Sequence, residues 1–293
     1  MTHDLKPLVC FPKEYFEGFA VLQRCGFDER FLPQHQKTLM DTFDNFVFCG
    51  KTDYTLRVLA VGTADGTSDI QIIDTLDSKY SSILYVVVEP ADSQVQKFQT
   101  LVQSKQEDGL WKNVKFDFHP ITIEEYLGKT KSGKEPGGFD IIHLQHCAYH
   151  FADIEGTTVE LYGRLNTGGM LCVLHVIGAW MELALHFGNI MPDSMSSQVE
   201  SLTLLERLQH RIPDVKMQTQ HRKISVKADE CFKENSEDGN MMLNFIMQLL
   251  DFRKTAPPEV VVDFMKFFKE LCYEEDSELY LPADDEIITI IKV

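Results

Sequence analysis

Two rhythms of apolar and polar positions alternate through the middle of the chain. Leu56-Arg-Val-Leu-Ala-Val-Gly62 is a short β-rich run that ends in glycine, and Ile83-Leu-Tyr-Val-Val-Val88 is nearly all apolar. Such runs predict strands covered on both faces. Between them, Ser68 to Leu76 places Ile70, Ile72, Ile73 and Leu76 at helical spacing, and a polar helix is expected over Asp92 to Lys105. Val114 to Phe118, Phe139 to Leu144 and Met170 to Val176 read as further strands, with helices over Ile123 to Leu127 and Thr157 to Leu165. Glycine-rich punctuation at 131–138 and 166–169 marks two of the boundaries. Strands and helices in alternation argue for a doubly wound, mainly parallel α/β sheet. The first ~50 residues carry helical spacing, as at Tyr15, Phe16, Phe19 and Leu22, and after residue 177 the rhythm turns mostly helical, with a helix start at Pro257-Pro258. Glu286-Ile-Ile-Thr-Ile-Ile-Lys-Val293 closes the chain as a strand. The expected organisation is one domain over 1–293: a helical cover (1–50), a core (51–180), an inserted segment (181–285) and the terminal strand (286–293).

Composition narrows the function. Of 293 residues, 28 are Lys or Arg and 45 Asp or Glu, a formal charge of −17, and no basic stripe is present. Nucleic acid is therefore not an expected partner. The acid excess favours cationic small molecules instead. Seven scattered cysteines without a CxxC pair read as reduced thiols of a cytoplasmic protein. Charged residues within 1–20 argue against a signal peptide, and no apolar run reaches the length of a membrane span.

Candidate chemistry gathers at the carboxyl ends of the strands, where open α/β sheets bind ligands. In Val61-Gly62-Thr63-Ala64-Asp65-Gly66, small residues at 62, 64 and 66 allow a sharp turn and close backbone approach to a ligand. A dinucleotide fingerprint would need glycine where Ala64 and Thr67 stand, which opposes an NAD-dependent oxidoreductase. The turn resembles the first loop of S-adenosylmethionine-dependent methyltransferases. Glu89 ends the second strand, where a carboxylate can accept hydrogen bonds from both hydroxyls of a ribose. Phe118-His-Pro-Ile-Thr-Ile123 is apolar and aromatic enough to sandwich an adenine, and Ile142-His-Leu-Gln-His146 stands where groups would face a transferred methyl. The string His143, His146, His150 suggests a metal only weakly: positions 143 and 146 of a strand face opposite sides, and no evident further ligand completes a set.

Beyond these generic features, Cys231-Phe232, Glu237-Asp-Gly-Asn240, Asn244-Phe245 and Thr255-Ala-Pro-Pro258 make a specific pattern with Tyr15-Phe-Glu-Gly-Phe19, Val88-Glu-Pro90, Gln94, Asn113-Val-Lys-Phe116 and His143. On these residues the chain resembles the histamine N-methyltransferase family from about Tyr15 onward. The resemblance implies a monomeric class I methyltransferase with a seven-stranded sheet and S-adenosyl-L-methionine as cofactor. It implies cofactor contacts at Gly62, Glu89, Gln94, Thr122, Ile123 and Gln145. It further implies an aromatic acceptor pocket of Tyr15, Phe19, Tyr149, Trp180 and Phe245. The family's three polar acceptor contacts are a Glu, a Gln and an Asn. Asp28 is the acid nearest the first, His146 stands at the second and Asp284 at the third. Ala184 and Met191 replace further aromatics.

Methyl transfer from a sulfonium to nitrogen is an in-line displacement in which the protein mainly supplies position and dehydration. An imidazole near its ordinary pKa already offers a lone pair, so no strong base is required. Aromatic walls would stabilise an amine cation, Asp28, Asp284 and Asp285 would hold its ammonium group, and His146 would orient or deprotonate the reacting nitrogen. The expected activity is N-methylation of a small imidazole amine, histamine first. The alternatives are carnosine or a histidine derivative as acceptor, or a degenerate methyltransferase fold that only binds.

Overall fold

A computed structural model describes residues 5–26, 32–45, 54–130, 137–191, 204–212 and 215–293. A seven-stranded sheet is built from β1 (Leu56–Val61), β2 (Ile83–Val88), β3 (Val114–His119), β4 (Phe139–Gln145), β5 (Leu165–Val176), β6 (Lys216–Arg222) and β10 (Asp285–Ile291), in the order β3-β2-β1-β4-β5-β10-β6. The pairs β3–β2, β2–β1, β1–β4 and β4–β5 are all parallel. The β10 strand runs against β5. At one end of β5 the Ile177 N–H donates to the Asp284 carbonyl at 2.7 Å, and at the other the Gly168 N–H donates to the Lys292 carbonyl at 2.7 Å.

Helices alternate with these strands: α2 (Leu32–Asn45), α3 (Ile70–Lys79), α4 (Asp92–Glu107), α5 (Ile123–Thr130), α6 (Ile154–Gly163) and α8 (Leu204–Arg211). Two apolar layers sandwich the sheet. One joins Leu59, Val61, Val86, Val88, Ile142 and Leu144 to side chains of α5, α6 and α8. The other joins Leu56, Val58, Tyr85 and Ile141 to Phe43, Ile72, Ile73 and Phe98. Burial on both faces is why β1, β2 and β4 read as continuous apolar runs. β3 lies at the sheet's edge and alternates instead, with Lys115 and Asp117 exposed. Local signals set several helix starts. Asp153 accepts the Gly156 N–H at 2.8 Å at the start of α6, and Thr122 accepts the Glu125 N–H at 3.3 Å at the start of α5.

The chain divides into two compact units. The second, 36–175 with 203–220 and 287–293, carries most of the sheet. The first, 1–35 with 176–202 and 221–286, holds α1 (Pro12–Val21), α7 (Ala179–Phe187), α9 (Glu237–Met247), α10 (Phe252–Thr255) and α11 (Pro258–Leu271). It also holds a small antiparallel sheet, β7 (Ser225–Lys227), β9 (Glu278–Pro282) and β8 (Tyr273–Glu275), in that order. Its own core gathers Leu8, Val21, Trp180, Leu183, Leu243, Phe252, Phe264 and Leu281. Among the described residues of 181–285 helices outnumber strands, as the periodicity predicts, but β6 to β9 lie there unannounced: β7 and β8 have three residues each, too few for a period to register. The N-terminal helices also separate, α1 to the first unit and most of α2 to the second. Among the described residues no helix is long and apolar enough to cross a membrane.

Candidate functional site

The turn after β1 is the centre of the candidate site in the second unit. Gly62, Ala64 and Gly66 all adopt positive φ, at 66°, 47° and 78°. A Cβ on Gly62 would stand 2.3 Å from Cys147 Cβ, so only glycine is accommodated there. Ala64 occupies the same left-handed region at a steric cost, and Glu89 holds it in place: the Ala64 N–H donates to Glu89 Oε2 at 3.0 Å and the Ala91 N–H to Oε1 at 3.0 Å. Glu89 thus fastens the turn after β1 to the turn after β2. Burial pushes its carboxyl above the usual carboxylate range, and the two backbone N–H groups pull the other way.

A carboxylate has about four acceptor positions, so each Glu89 oxygen retains capacity for a ligand hydroxyl. Gln94 is buried in the first turn of α4. Polar atoms nearby are left over: Thr63 Oγ1, after β1, and Gln145 Nε2, ending β4, are buried without a hydrogen-bond partner. Two partnerless polar atoms, a carboxylate with spare capacity and a turn open to close backbone approach fit a nucleoside carrying hydroxyl and amino groups.

The other expected residues of this unit fall at the same sheet end. Thr122 caps α5, and Ile123 is buried beside Tyr126 and Leu127. His146 follows β4 with φ 50°, its N–H donating to the Leu174 carbonyl at 2.8 Å. Tyr149 sits on the next turn, edge-on to His150 with ring centroids 4.7 Å apart. Among the described residues no group of three His, Cys, Asp or Glu side chains could hold a metal ion.

In the first unit three of the expected aromatics gather around a fourth, Phe245. The ring centroids of Tyr15, Phe19 and Trp180 lie 5.2, 5.7 and 6.2 Å from it. Gly18 permits this: a Cβ there would come within 3.2 Å of the Met241 carbonyl oxygen and of Phe245 Cβ, so α1 can lie directly against α9. Trp180 and Phe245 are mostly buried, while Tyr15 and Phe19 remain half-buried. Asp284 precedes β10, and its Oδ1 accepts the Ile224 N–H at 3.1 Å. Asp285 is a correction. Expected to hold an ammonium group, it is fully buried, and both its oxygens bind the Arg222 guanidinium at 2.6 Å. A carboxylate so engaged is unavailable to a ligand. Asp28 lies outside the described residues.

No protein-family model matches the chain. Histamine N-methyltransferase of Bos taurus is 26% identical over 215 residues, 72% of each chain. That of Mus musculus is 27% identical over 227 residues, 75% of each chain. The chain is similar to the histamine N-methyltransferases over about three quarters of its length. Carnosine N-methyltransferase 2 of Gallus gallus is 23% identical over 266 residues, 87% of this chain and 81% of that one. Among solved structures, the YcgJ protein of Bacillus subtilis superimposes with a TM-score of 0.54 at 16% identity, covering 88% of this chain and 98% of that one. The plantazolicin methyltransferase BpumL, solved with a triazolic desmethylPZN analog and SAH, superimposes with a TM-score of 0.50 at 11% identity, covering 98% and 93%. The fold is that of the class I methyltransferases.

Sequence reasoning missed a polar cluster below the turn. The Tyr85 hydroxyl donates to Asp69 Oδ1 at 2.6 Å and lies 2.8 Å from His143 Nε2. A signal was present: Tyr85 interrupts the otherwise apolar run of β2, and His143 stands within the Ile-Ile-His-Leu stretch of β4.

Proposed function

We propose that this chain is an S-adenosylmethionine-dependent N-methyltransferase whose acceptor is a small imidazole amine, histamine first. The observation that carries the reading is the Glu89 carboxylate, which fastens two turns at the carboxyl ends of β1 and β2 and keeps acceptor capacity for a ribose. The kinship with histamine N-methyltransferases supports the acceptor class. Free thiols at Cys10, Cys147, Cys231 and Cys272 support a reducing, cytoplasmic setting, and the resemblance supports a monomer.

Gly62, Glu89, Gln94, Thr122, Ile123 and Gln145 would hold the cofactor, which supplies an activated methyl group on a sulfonium when bound. Glu89 binds the ribose hydroxyls, and Gln145 offers its amide N–H groups. Tyr15, Phe19, Trp180 and Phe245 of the first unit exclude water and present ring faces to an ammonium group, each worth about 0.5–2 kcal/mol. Asp284 adds the opposite charge through the oxygen not engaged by Ile224. On the resemblance Tyr149 and His146 are also given acceptor roles, His146 to orient the reacting nitrogen or take its proton.

Titration calorimetry with S-adenosylhomocysteine, followed by a radiolabelled methyl-transfer panel, tests the reading. Binding together with histamine turnover is the expected result. Absence of binding would overturn the enzyme in favour of a bare scaffold. The relationship to a carnosine N-methyltransferase motivates a second reading, and turnover of carnosine without histamine would replace the first by it. His146→Ala is expected to lower kcat about 100-fold with cofactor affinity retained. Unchanged turnover removes the role given to His146.

A further inference from the structure

The chemistry above makes no use of the cluster beneath the glycine turn, yet the cluster is costly. Asp69, Tyr85 and His143 are each at most 1% exposed and come from three separate elements: the 3-10 turn Thr67–Asp69, β2 and β4. β1 runs between β2 and β4, with Val58 in register with Tyr85 and Ala60 with His143. The methyl of Ala60 leaves room above β1 for the hydroxyl and the imidazole to meet 2.8 Å apart. Asp69 reaches the same point, its Oδ1 2.6 Å from the hydroxyl and 3.4 Å from His143 Nε2. Through its backbone Asp69 holds the turn above, donating its N–H to the Gly66 carbonyl at 3.0 Å. Asp69 Oδ2 and His143 Nδ1 are buried without partners. Apolar side chains of equal volume would fill this space at no such penalty.

We propose that Asp69 and Tyr85 are positioning residues for cofactor binding: they tie the last glycine of the turn, through His143, to the two strands flanking β1. The proposal rests on the turn being the cofactor's, as argued above. Groups facing Asp69 are few. They are Asp65 on its own loop, Tyr85 from β2, His143 from β4 and Cys147 after β4, while Phe43 of α2 sets an uncharged ring edge-on to His143. Burial drives His143 down to about 3 and keeps Tyr85 and Cys147 protonated, so these three stay neutral. Burial also raises the Asp69 carboxyl to about 7, the Tyr85 hydrogen bond opposing and Asp65 adding to the shift. Asp69 therefore changes charge around neutrality. Once ionised, its partnerless oxygen is drawn toward water, and the turn it holds loosens. The sign follows from a folded-state value above the unfolded one: the stability is present at acid pH and is lost as pH rises toward 7.

The test is the Kd of S-adenosylhomocysteine by calorimetry on the full chain at about pH 6 and about pH 8. One proton held at a site of this kind gives a wild-type Kd that rises about tenfold across that interval. Tyr85→Phe keeps the ring and is expected to weaken binding about tenfold at about pH 6 in folded protein, with the acceptor KM within about twofold. Asp69→Asn is expected to flatten the pH dependence, and it also loses less stability than wild type between acid and neutral pH. A wild-type pH dependence reproduced in Asp69→Asn overturns the proposal, as does an unaltered Kd in Tyr85→Phe accompanied only by lower stability. Should Tyr85→Phe fail to fold, Asp69→Asn decides alone. No binding by wild type at either pH overturns the cofactor reading and this one with it; wild-type binding with an unaltered Asp69→Asn profile overturns this one only.

Discussion

Two buried carboxylates at opposite ends of one sheet contrast in how fully their oxygens are used. Asp140, beside the start of β4, accepts the Arg57 backbone N–H at 2.8 Å, the Asn166 amide at 2.7 Å and the Tyr54 hydroxyl. Both its oxygens are occupied. Asp69, below the turn at the carboxyl ends, binds Tyr85 through one oxygen and leaves the other without a partner. Thr63 Oγ1 and Gln145 Nε2, on the turn after β1 and at the end of β4, are likewise incomplete. Native interiors rarely leave polar atoms unsatisfied, and these three lie at the sheet end to which we assign the cofactor. The completed end does structural duty: it locks Tyr54 and the first residues of β1, β4 and β5 together.

Breaking Asp140 gives the largest expected effect. Asp140→Ala strands three partly buried donors beside a buried cavity, and a urea titration is expected to lose about 3 kcal/mol of stability. Cofactor affinity of the folded protein stays unchanged; a weaker Kd at full stability would reverse the contrast. Glu89→Gln probes the other end. It is expected to weaken S-adenosylhomocysteine binding about 100-fold, or about 2.7 kcal/mol, with little change in the urea midpoint. A stability loss as large as that of Asp140→Ala would make Glu89 a structural residue instead. Gly62→Ala sets a Cβ 2.3 Å from Cys147 Cβ at a φ of 66°, and about 2 kcal/mol of stability is expected to go together with cofactor affinity. Smallest is Ala64→Gly, which relieves a left-handed alanine at φ 47°. It is expected to raise stability by at most about 1 kcal/mol, a rise in Tm of a few degrees. A fall would mean that Glu89 holds this alanine without strain.

Much of the fold was legible in the chain. The strands of the sheet's centre announced themselves because they are covered on both faces, and Glu89 because it follows such a run directly. The aromatic set around Phe245 rested on resemblance rather than on pattern: periodicity cannot tell a ring lining a pocket from one filling a core. The small sheet of β7, β9 and β8 escaped notice because its strands are short and β7 pairs across a long stretch, Val226 with Leu281. Asp284 and Asp285 are adjacent and alike in sequence, yet only Asp285 meets a guanidinium, because successive side chains of an extended chain point in opposite directions.

By itself the sequence determined the alternation of strand and helix, the sheet class and the acid at the end of β2, since these depend on local runs and on the burial each run requires. Tertiary structure alone decided which acids are spent and which are left over. Arg222 reaches Asp285 across 63 residues, Arg57 reaches Asp140 across 83, and Tyr85 joins His143 across 58. Partnerships of that span carry no period, and together with burial they set the charge state of a buried carboxylate.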